Sequence, residues 1–170
     1  MPAVAVTRTY LQLLGRDQLR PARGRPEGAR VDRVASVAPD LFRWLYATVG
    51  GPWHWRDRLP WTDADIARHF ADPAVALHVL THHGVTAGYY ELGRQADGSV
   101  EIVHFGLVPE FVGKGLGGYL LGEAVEAAWA LGATRVWLHT CTLDGPAALP
   151  NYLARGFSPY RTEQYTADLP

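Results

Sequence analysis

Hydrophobic and polar positions in the first third of the chain predict a strand and a helix that are separated by a polar segment. Residues 3–13 (AVAVTRTYLQL) are rich in β-branched and aromatic residues, which is typical of a strand. Residues 38–51 (APDLFRWLYATVGG) repeat apolar side chains at helical spacing and end in a Gly-Gly-Pro break, which predicts a helix. Residues 15–33 hold six arginines and three acidic residues, with no aromatic residue to stack on a nucleic-acid base. We therefore expect a solvated arginine-rich loop there.

The rest of the chain alternates strand-like and helix-like segments. Thr62 is followed three residues later by Asp65, a capping-box pattern that predicts a short helix ending before Pro73. The later segments are predicted strands at residues 74–84, 85–95, 99–108 and 134–142, predicted helices at residues 116–131 and 146–156, and a closing strand pair or strand and tail at residues 157–169.

The order of these segments predicts the fold class. Tight turns near His83–Gly84 and Asp97–Gly98 indicate that the strands in the front half pair antiparallel. The sequence shows no repeat, no low-complexity tract and no composition break. We expect an α/β fold in one domain that spans residues 1–170.

Composition narrows the class of protein further. With 170 residues, 48% of them hydrophobic and 19% charged, the chain resembles an ordinary globular domain. A formal net charge of −1 gives no electrostatic reason to expect nucleic acid or a membrane surface as partner. The lone Cys141 excludes an internal disulfide and a cysteine-built metal site. The amino terminus lacks the features of a signal peptide, so we expect a cytoplasmic protein. We also expect no metal cofactor.

Five glycines crowd the segment between a predicted strand and a predicted helix. They are Gly106, Gly113, Gly115, Gly117 and Gly118. A glycine-rich turn before a helix exposes free backbone amides at the positive end of the helix dipole, which suits a phosphate group. The spacing fits neither the Walker loop nor the dinucleotide fingerprint, so the glycines alone do not distinguish an anion site from a flexible turn.

Two motifs carry a resemblance to a known family. LVPEFVGKGLGGYLL resembles the coenzyme A-binding motif V-x-P-x-x-(Q/R)-x-x-G-x-(G/A) of the GNAT superfamily of N-acetyltransferases, with Leu107, Pro109, Gly115 and Gly117 on motif positions. Val112 departs from the motif, because the family has Gln or Arg at this position. Downstream, NYLARGF resembles the family's Y-x-x-x-G-F.

The resemblance implies a fold and a cofactor. The fold would be a mixed, mostly antiparallel twisted sheet with splayed central strands and about four flanking helices. The cofactor would be acetyl-CoA, whose pyrophosphate the loop amides would hold, with Lys114 as a nearby cation. The implied coenzyme-binding residues are Phe105, Leu107, Val108, Val112, Gly113, Lys114, Gly115, Leu116, Gly117, Gly118 and Asn151.

The resemblance also implies catalytic residues. Glu101 lies at the place where family members that acetylate lysines carry a general base, and Tyr152 holds the place of the acid that protonates the leaving thiolate. Strict strand alternation would put Glu101, Val103 and Phe105 on one face and His104 on the other. His104 is the second candidate base and His139 the third, since imidazole titrates near neutral pH. The family implies that a strand bulge within residues 105–107 offers an amide to the oxyanion.

A tryptophan-rich segment is the candidate acceptor site. Trp53, Trp55 and Trp61 fall within nine residues and could wall the pocket or contact an ammonium group, although each could also simply pack the loop. Four acidic residues could bind a cationic amine or be ordinary surface acids: Asp57, Asp63, Asp65 and Glu91.

These residues favour an N-acetyltransferase that moves acetyl from acetyl-CoA directly to a primary amine. A small-molecule acceptor is favoured because nothing basic or flat suggests protein docking, and a homodimer is allowed. The alternatives are an acetyltransferase that modifies proteins or peptides, such as a toxin, an acyl-CoA-binding sensor without turnover, and a nucleotide-binding domain, against which the missing Walker residues count.

Overall fold

Seven strands and four helices form the regular structure of residues 2–170, the part of the chain that the computed structural model describes. The strands are β1 (Ala3–Leu13), β2 (Ala29–Arg33), β3 (Val75–His82), β4 (Val85–Arg94), β5 (Val100–Leu107), β6 (Val136–Cys141) and β7 (Ser158–Asp168). The helices are α1 (Pro39–Gly50), α2 (Asp63–Ala71), α3 (Leu116–Ala130) and α4 (Ala148–Ala154).

All seven strands join one sheet in the order β2-β3-β4-β5-β6-β1-β7. Every neighbouring pair is antiparallel except β5 and β6, which run parallel and pair only at Val100↔Val136 and Glu101↔Trp137. Beyond Glu101 the two strands separate. The predicted mixed sheet with splayed central strands is confirmed.

β1 lies between β6 and β7 in the sheet. β1 pairs with β6 from Arg8↔Cys141 to Leu13↔Val136, and with β7 along almost its whole length. Chain order alone does not indicate this position, because β1 precedes both of its partners by more than a hundred residues. Strands from the two ends of the chain are therefore neighbours in the sheet.

Helices cover both faces of the β2–β5 half of the sheet. On one face α3 buries Leu120 and Val125 in a cluster with Tyr90 of β4, and Tyr152 of α4 joins the same cluster. On the other face α1 and α2 pack against β3 and β4 through the apolar residues of two smaller clusters. None of the helices in residues 2–170 is both long enough and apolar enough to cross a membrane.

Local sequence signals set the helix boundaries. The Asp65 amide donates to Thr62 Oγ1 over 3.2 Å and the Thr62 amide donates to Asp65 Oδ2 over 2.9 Å, so the predicted capping box of α2 is confirmed. The prediction that residues 15–33 form only a loop is wrong, because they contain a 3₁₀ turn and the edge strand β2. In this short strand only Ala29 is fully buried, so its charged composition concealed it.

Candidate active site

The glycine-rich loop leads from β5 into α3 and presents free backbone amides. Gly113 (φ +84°) and Gly115 (φ +75°) occupy the left-handed region, which explains why these two positions carry glycine. Gly115 caps α3, and no side chain accepts a hydrogen bond at this helix end. The amides of residues 113–115 donate to no other group within residues 2–170. The loop therefore has the donors of an anion site.

Side chains around the loop support this backbone arrangement. Lys114 Nζ lies 5.4 Å from the centroid of the Phe111 ring, at the loop surface. Val112 is 56% exposed, so its side chain contributes neither core packing nor a polar group. Leu116 is fully buried and anchors the start of α3. Asn151 Nδ2 donates to the Gly117 carbonyl over 3.1 Å and so ties α4 to the first turn of α3.

Two ionisable side chains meet where β5 and β6 separate. Glu101 Oε1 lies 3.8 Å from His139 Nε2, and the side chains are 17% and 37% exposed. Burial, and then the negative charge of Glu91, raise the pKa of the Glu101 carboxyl above its ordinary value. Burial, and then the guanidinium of Arg8, lower the pKa of His139. Both shifts favour the neutral forms of these two groups.

A register shift in β5 changes which side chains share a face. Glu91 of β4 is paired with His104 whereas Leu92 is paired with Ile102, so Val103 is an extra residue in β5. As a result His104 lies on the same face as Glu101, and Phe105 lies on the opposite face. Strict alternation had predicted the reverse. The family resemblance had implied a bulge within residues 105–107, and this is wrong, because these residues pair regularly with β4.

Glu91 is the centre of a buried ionic cluster beside this site. Arg58 donates from both terminal nitrogens to the Glu91 carboxylate, over 2.6 Å and 3.0 Å, and His69 Nε2 lies 2.9 Å from Glu91 Oε2. Burial acts to raise the pKa of Glu91, but the hydrogen bonds from His69 and Arg58 outweigh it and lower that pKa to about 2. Glu91 is 1% exposed, so its interpretation as a surface acid is wrong.

His104 is held between this cluster and an aromatic ring. Its imidazole stacks on Trp55 with ring centroids 4.8 Å apart, and its Nδ1 lies 3.8 Å from Glu91 Oε1, beyond hydrogen-bond distance. Burial, and then Arg58, lower the pKa of His104 to about 4. His104 is therefore neutral at physiological pH and is a weak base.

Tyr152 approaches the separated strands from the opposite face of the sheet. Its ring packs between Phe105 and Phe157, with centroids at 6.1 Å and 6.2 Å. Burial, and then the charge of Asp144, raise the pKa of the Tyr152 hydroxyl well above its ordinary value. The hydroxyl therefore keeps its proton at neutral pH.

The three candidate acceptor-site tryptophans have different neighbours. Trp55 lies against His104, and Trp53 packs so closely over Gly145 that a side chain at that glycine would touch the indole. The Trp61 ring carries the Arg58 guanidinium 4.5 Å from its centroid, within the helix layer. Trp53 and Trp55 therefore lie nearer to the opening of the sheet than Trp61, whose ring packs against Arg58 and Phe42.

The remaining acidic residues have structural partners. Tyr46 donates a hydrogen bond to Asp57, Asp63 pairs with Arg43, and Asp65 caps α2. Within residues 2–170, no group of three or more His, Cys, Asp or Glu side chains is arranged to hold a metal ion.

Comparisons with known proteins agree with this architecture. Residues 39–157 match the model of the acetyltransferase (GNAT) family. No curated protein matches the chain. A GCN5-related N-acetyltransferase from Kribbella flavida superposes with a TM-score of 0.69 at 23% identity, over 96% of this chain and 58% of that one. One from Sphaerobacter thermophilus superposes with a TM-score of 0.66 at 19% identity, over 95% and 52%.

A third similar structure is an aminoglycoside acetyltransferase from an uncultured soil metagenomic sample. Its TM-score is 0.63 at 13% identity, and the match covers 75% of this chain and 87% of that one. At such identities these three structures show a shared fold. The chain spans just over half of the length of the Kribbella and Sphaerobacter proteins.

Proposed function

Because the chain belongs to the acetyltransferase (GNAT) family, we propose that it transfers an acetyl group from acetyl-CoA directly to a primary amine of a small molecule. One observation carries the proposal. β5 separates from β6 after Glu101, and the chain that continues from β5 leads into the free amides of residues 113–115. An extended ligand with a diphosphate at one end and a reactive group at the other fits that arrangement.

The loop residues hold the coenzyme in this proposal. Backbone amides from Gly113 to Gly118 face its diphosphate, and the positive end of α3 favours the negative charge. The predicted contribution of the Val112 amide is not kept, because that amide donates to the Pro109 carbonyl over 3.2 Å. β5 residues beyond Glu101 have no strand partner on the β6 side, so their backbone groups are free to pair with the pantetheine arm. Phe105, Leu107 and Val108 belong to this stretch or follow it directly, and Asn151 acts by fixing the first turn of α3.

Two side chains move the protons. The Glu101 carboxylate accepts a proton from the ammonium group of the acceptor, and the free amine then forms a bond to the acetyl carbon. The carbon–sulfur bond breaks, Tyr152 protonates the departing thiolate, and the new amide nitrogen releases its remaining extra proton, which restores the Tyr152 hydroxyl through solvent. We place the base at Glu101 because its raised pKa makes the carboxylate a stronger base, whereas the lowered pKa of His104 makes its imidazole a weaker one.

The small-molecule acceptor is supported by access to the site. The Glu101 side chain is only 17% exposed and lies on the same face as His104 and Trp55, so a slender amine reaches it more easily than a side chain on a folded protein. Trp53 and Trp55 provide aromatic surface for an ammonium group. The acceptor would bind on the α1 and α2 face, and Tyr152 would act from the other.

The test is to incubate the protein with acetyl-CoA and each of a panel of primary amines, and to measure turnover as release of the coenzyme A thiol. We expect acetylation of a subset of the small amines, and strong losses in Glu101→Gln and Tyr152→Phe. The matched control is His83→Gln, at the exposed turn between β3 and β4, which should keep full activity. Binding of acetyl-CoA without turnover on any amine, peptide amines included, would indicate a sensor module and contradict the proposal.

A further inference from the structure

Arg155 reaches from the end of α4 to the first turn of α3. It caps the carboxyl end of α4, and a Cβ atom built on Gly118 would overlap with Arg155 Nη1. Because Cα–Cβ bonds tilt toward the amino end of a helix, the guanidinium occupies the space beside the amino-terminal turn of α3. Glycine at position 118 therefore leaves the space that this guanidinium occupies.

The polypeptide around Arg155 fixes it in place. The Arg20 amide donates to the Arg155 carbonyl over 2.9 Å, and a Cβ atom on Gly156 would collide with the Gln18 carbonyl oxygen. The Ala22 methyl lies 3.2 Å from the Cβ position of Gly118, on the same side as the guanidinium. The segment that connects β1 to β2 thus holds Arg155 against α3.

Despite this fixed position, Arg155 has no counterion among residues 2–170. Its Nε is buried without a hydrogen-bond partner, and no carboxylate lies within salt-bridge distance of its guanidinium. A cation at the positive end of a helix is electrostatically unfavourable unless an anion neutralises both. The arrangement indicates a bound anion.

The loop sequence gives a reason for a cation at this place. The family motif has Gln or Arg at the position of Val112, whose exposed side chain offers no hydrogen bond. Arg155 comes from another element but lies beside the same helix end. Its guanidinium can donate two parallel hydrogen bonds to a phosphate group.

We propose that Arg155 binds the diphosphate of the coenzyme and takes over the role of the side chain that is missing at Val112. This inference rests on the proposed function, since it requires that the glycine-rich loop binds coenzyme A. It adds a binding residue from α4, positioned by the β1–β2 connection.

Calorimetry with three ligands tests the assignment. Coenzyme A, dephospho-coenzyme A, which lacks only the 3′-phosphate, and pantetheine, which lacks the nucleotide and the diphosphate, are titrated into the wild type and Arg155→Met. We expect coenzyme A and dephospho-coenzyme A to bind about ten- to hundredfold more weakly to the variant. Binding of pantetheine should not change. The control Arg94→Met, at the opposite end of β4, should bind all three ligands like the wild type.

Gly118→Ala is the second variant and protects the test against misfolding. Alanine favours the helix, and its methyl group displaces the guanidinium while the arginine remains. It should weaken binding like Arg155→Met, and the double variant should lose little more affinity than either single variant.

Three results would overturn the inference. Unchanged coenzyme A affinity in both variants would show that Arg155 does not contact the ligand. A loss for coenzyme A but not for dephospho-coenzyme A would assign Arg155 to the 3′-phosphate instead. If the wild type binds neither coenzyme A nor dephospho-coenzyme A, the proposed function is refuted as well, which distinguishes this failure from the first two.

Discussion

Glu101 owes its proposed role to its surroundings rather than to its residue type alone. It lies at the last paired position of β5 and β6, faces His139, and is mostly buried. Burial and the charge of Glu91 both disfavour its ionised form, so the pKa of Glu101 is raised and its carboxylate binds a proton more tightly than an ordinary glutamate does. The same carboxyl on an open strand would lack both effects and would bind a proton more weakly.

A first prediction concerns the pH dependence of acetyl transfer. The base must be deprotonated, so kcat/KM should rise with pH, with a midpoint above the ordinary glutamate pKa. Glu101→Gln should lower kcat/KM by roughly 10²- to 10⁴-fold and remove that midpoint. Steady-state rates from pH 4 to 9 would check this, and a variant that keeps the wild-type profile would exclude Glu101 as the base.

The proposed acid allows a separate prediction. Tyr152→Phe keeps the ring packed against Phe105 and Phe157 but removes the proton donor. We expect kcat to fall by roughly 10²-fold or more while coenzyme A affinity and thermal stability change little. Rate assays paired with calorimetry measure both effects. A loss of affinity equal to the loss of rate would instead mean that the hydroxyl serves in binding.

The Glu91 cluster is predicted to matter for stability. Glu91→Gln would leave the Arg58 guanidinium buried without its counterion, at a cost of about 3–5 kcal/mol in the free energy of unfolding. Urea unfolding at pH 7 measures this difference. Glu110→Gln, at the exposed surface of the 3₁₀ turn after β5, is the control and should remain within about 0.5 kcal/mol of the wild type.

Acid should destabilise the fold in two overlapping ranges. The folded-state pKa of His104 is lowered to about 4, so the unfolded chain binds its proton first and stability falls as pH drops from about 6.5 toward 4. His78, whose pKa is also lowered to about 4 by burial, adds to this range. Glu91, with a pKa of about 2, adds a loss of stability below its ordinary value.

Unfolding measured across pH tests these assignments. His104→Gln should reduce the slope of stability between pH 6.5 and 4 by up to about 1.4 kcal/mol per pH unit, because one titrating group is removed. A slope that is identical in variant and wild type would show that His104 is not held neutral in the fold.

Part of the site follows from the sequence, and part depends on contacts that the sequence does not reveal. The glycine loop was predictable because left-handed φ angles and free helix amides leave a local signature at Gly113 and Gly115. Glu91 was not, because its partners Arg58 and His69 come from distant segments. The face of His104 was also missed, since one inserted residue at Val103 reverses the alternation that follows it.

At the level of elements, β1 is the part of the sheet that chain order conceals most. Local pattern identified the strand, but pairing with β6 and β7 is long-range and was not predictable from residues 3–13 alone. β2 was missed because a five-residue edge strand carries too little apolar periodicity to stand out. The helices were predictable because their periodic apolar positions and caps lie within short windows.

The position of β1 yields a prediction. Leu11 is fully buried in the main core cluster, so Leu11→Ala should cost about 2–5 kcal/mol in the free energy of unfolding. Deleting residues 2–13 would remove the strand between β6 and β7, and we expect no cooperative unfolding transition. Circular dichroism during thermal unfolding checks both variants, and a truncated chain that unfolds like the wild type would contradict the placement of β1 between β6 and β7.

For the molecule as a whole, the main feature is the opening at the centre of the sheet, where β5 and β6 separate. The coenzyme loop lies beyond one end of β5, and the acceptor side is bounded by α1, α2 and the segment with Trp53 and Trp55. Single-domain organisation, cytoplasmic location and a homodimer stay predictions from the sequence.

The central claim is that the glycine-rich loop before α3 is a coenzyme A site. Calorimetric titration of the purified protein with acetyl-CoA, coenzyme A and ATP in parallel tests it most directly. We predict saturable binding of both coenzyme A species and no binding of ATP. Binding of ATP alone, or of none of the three, would contradict the acetyltransferase account.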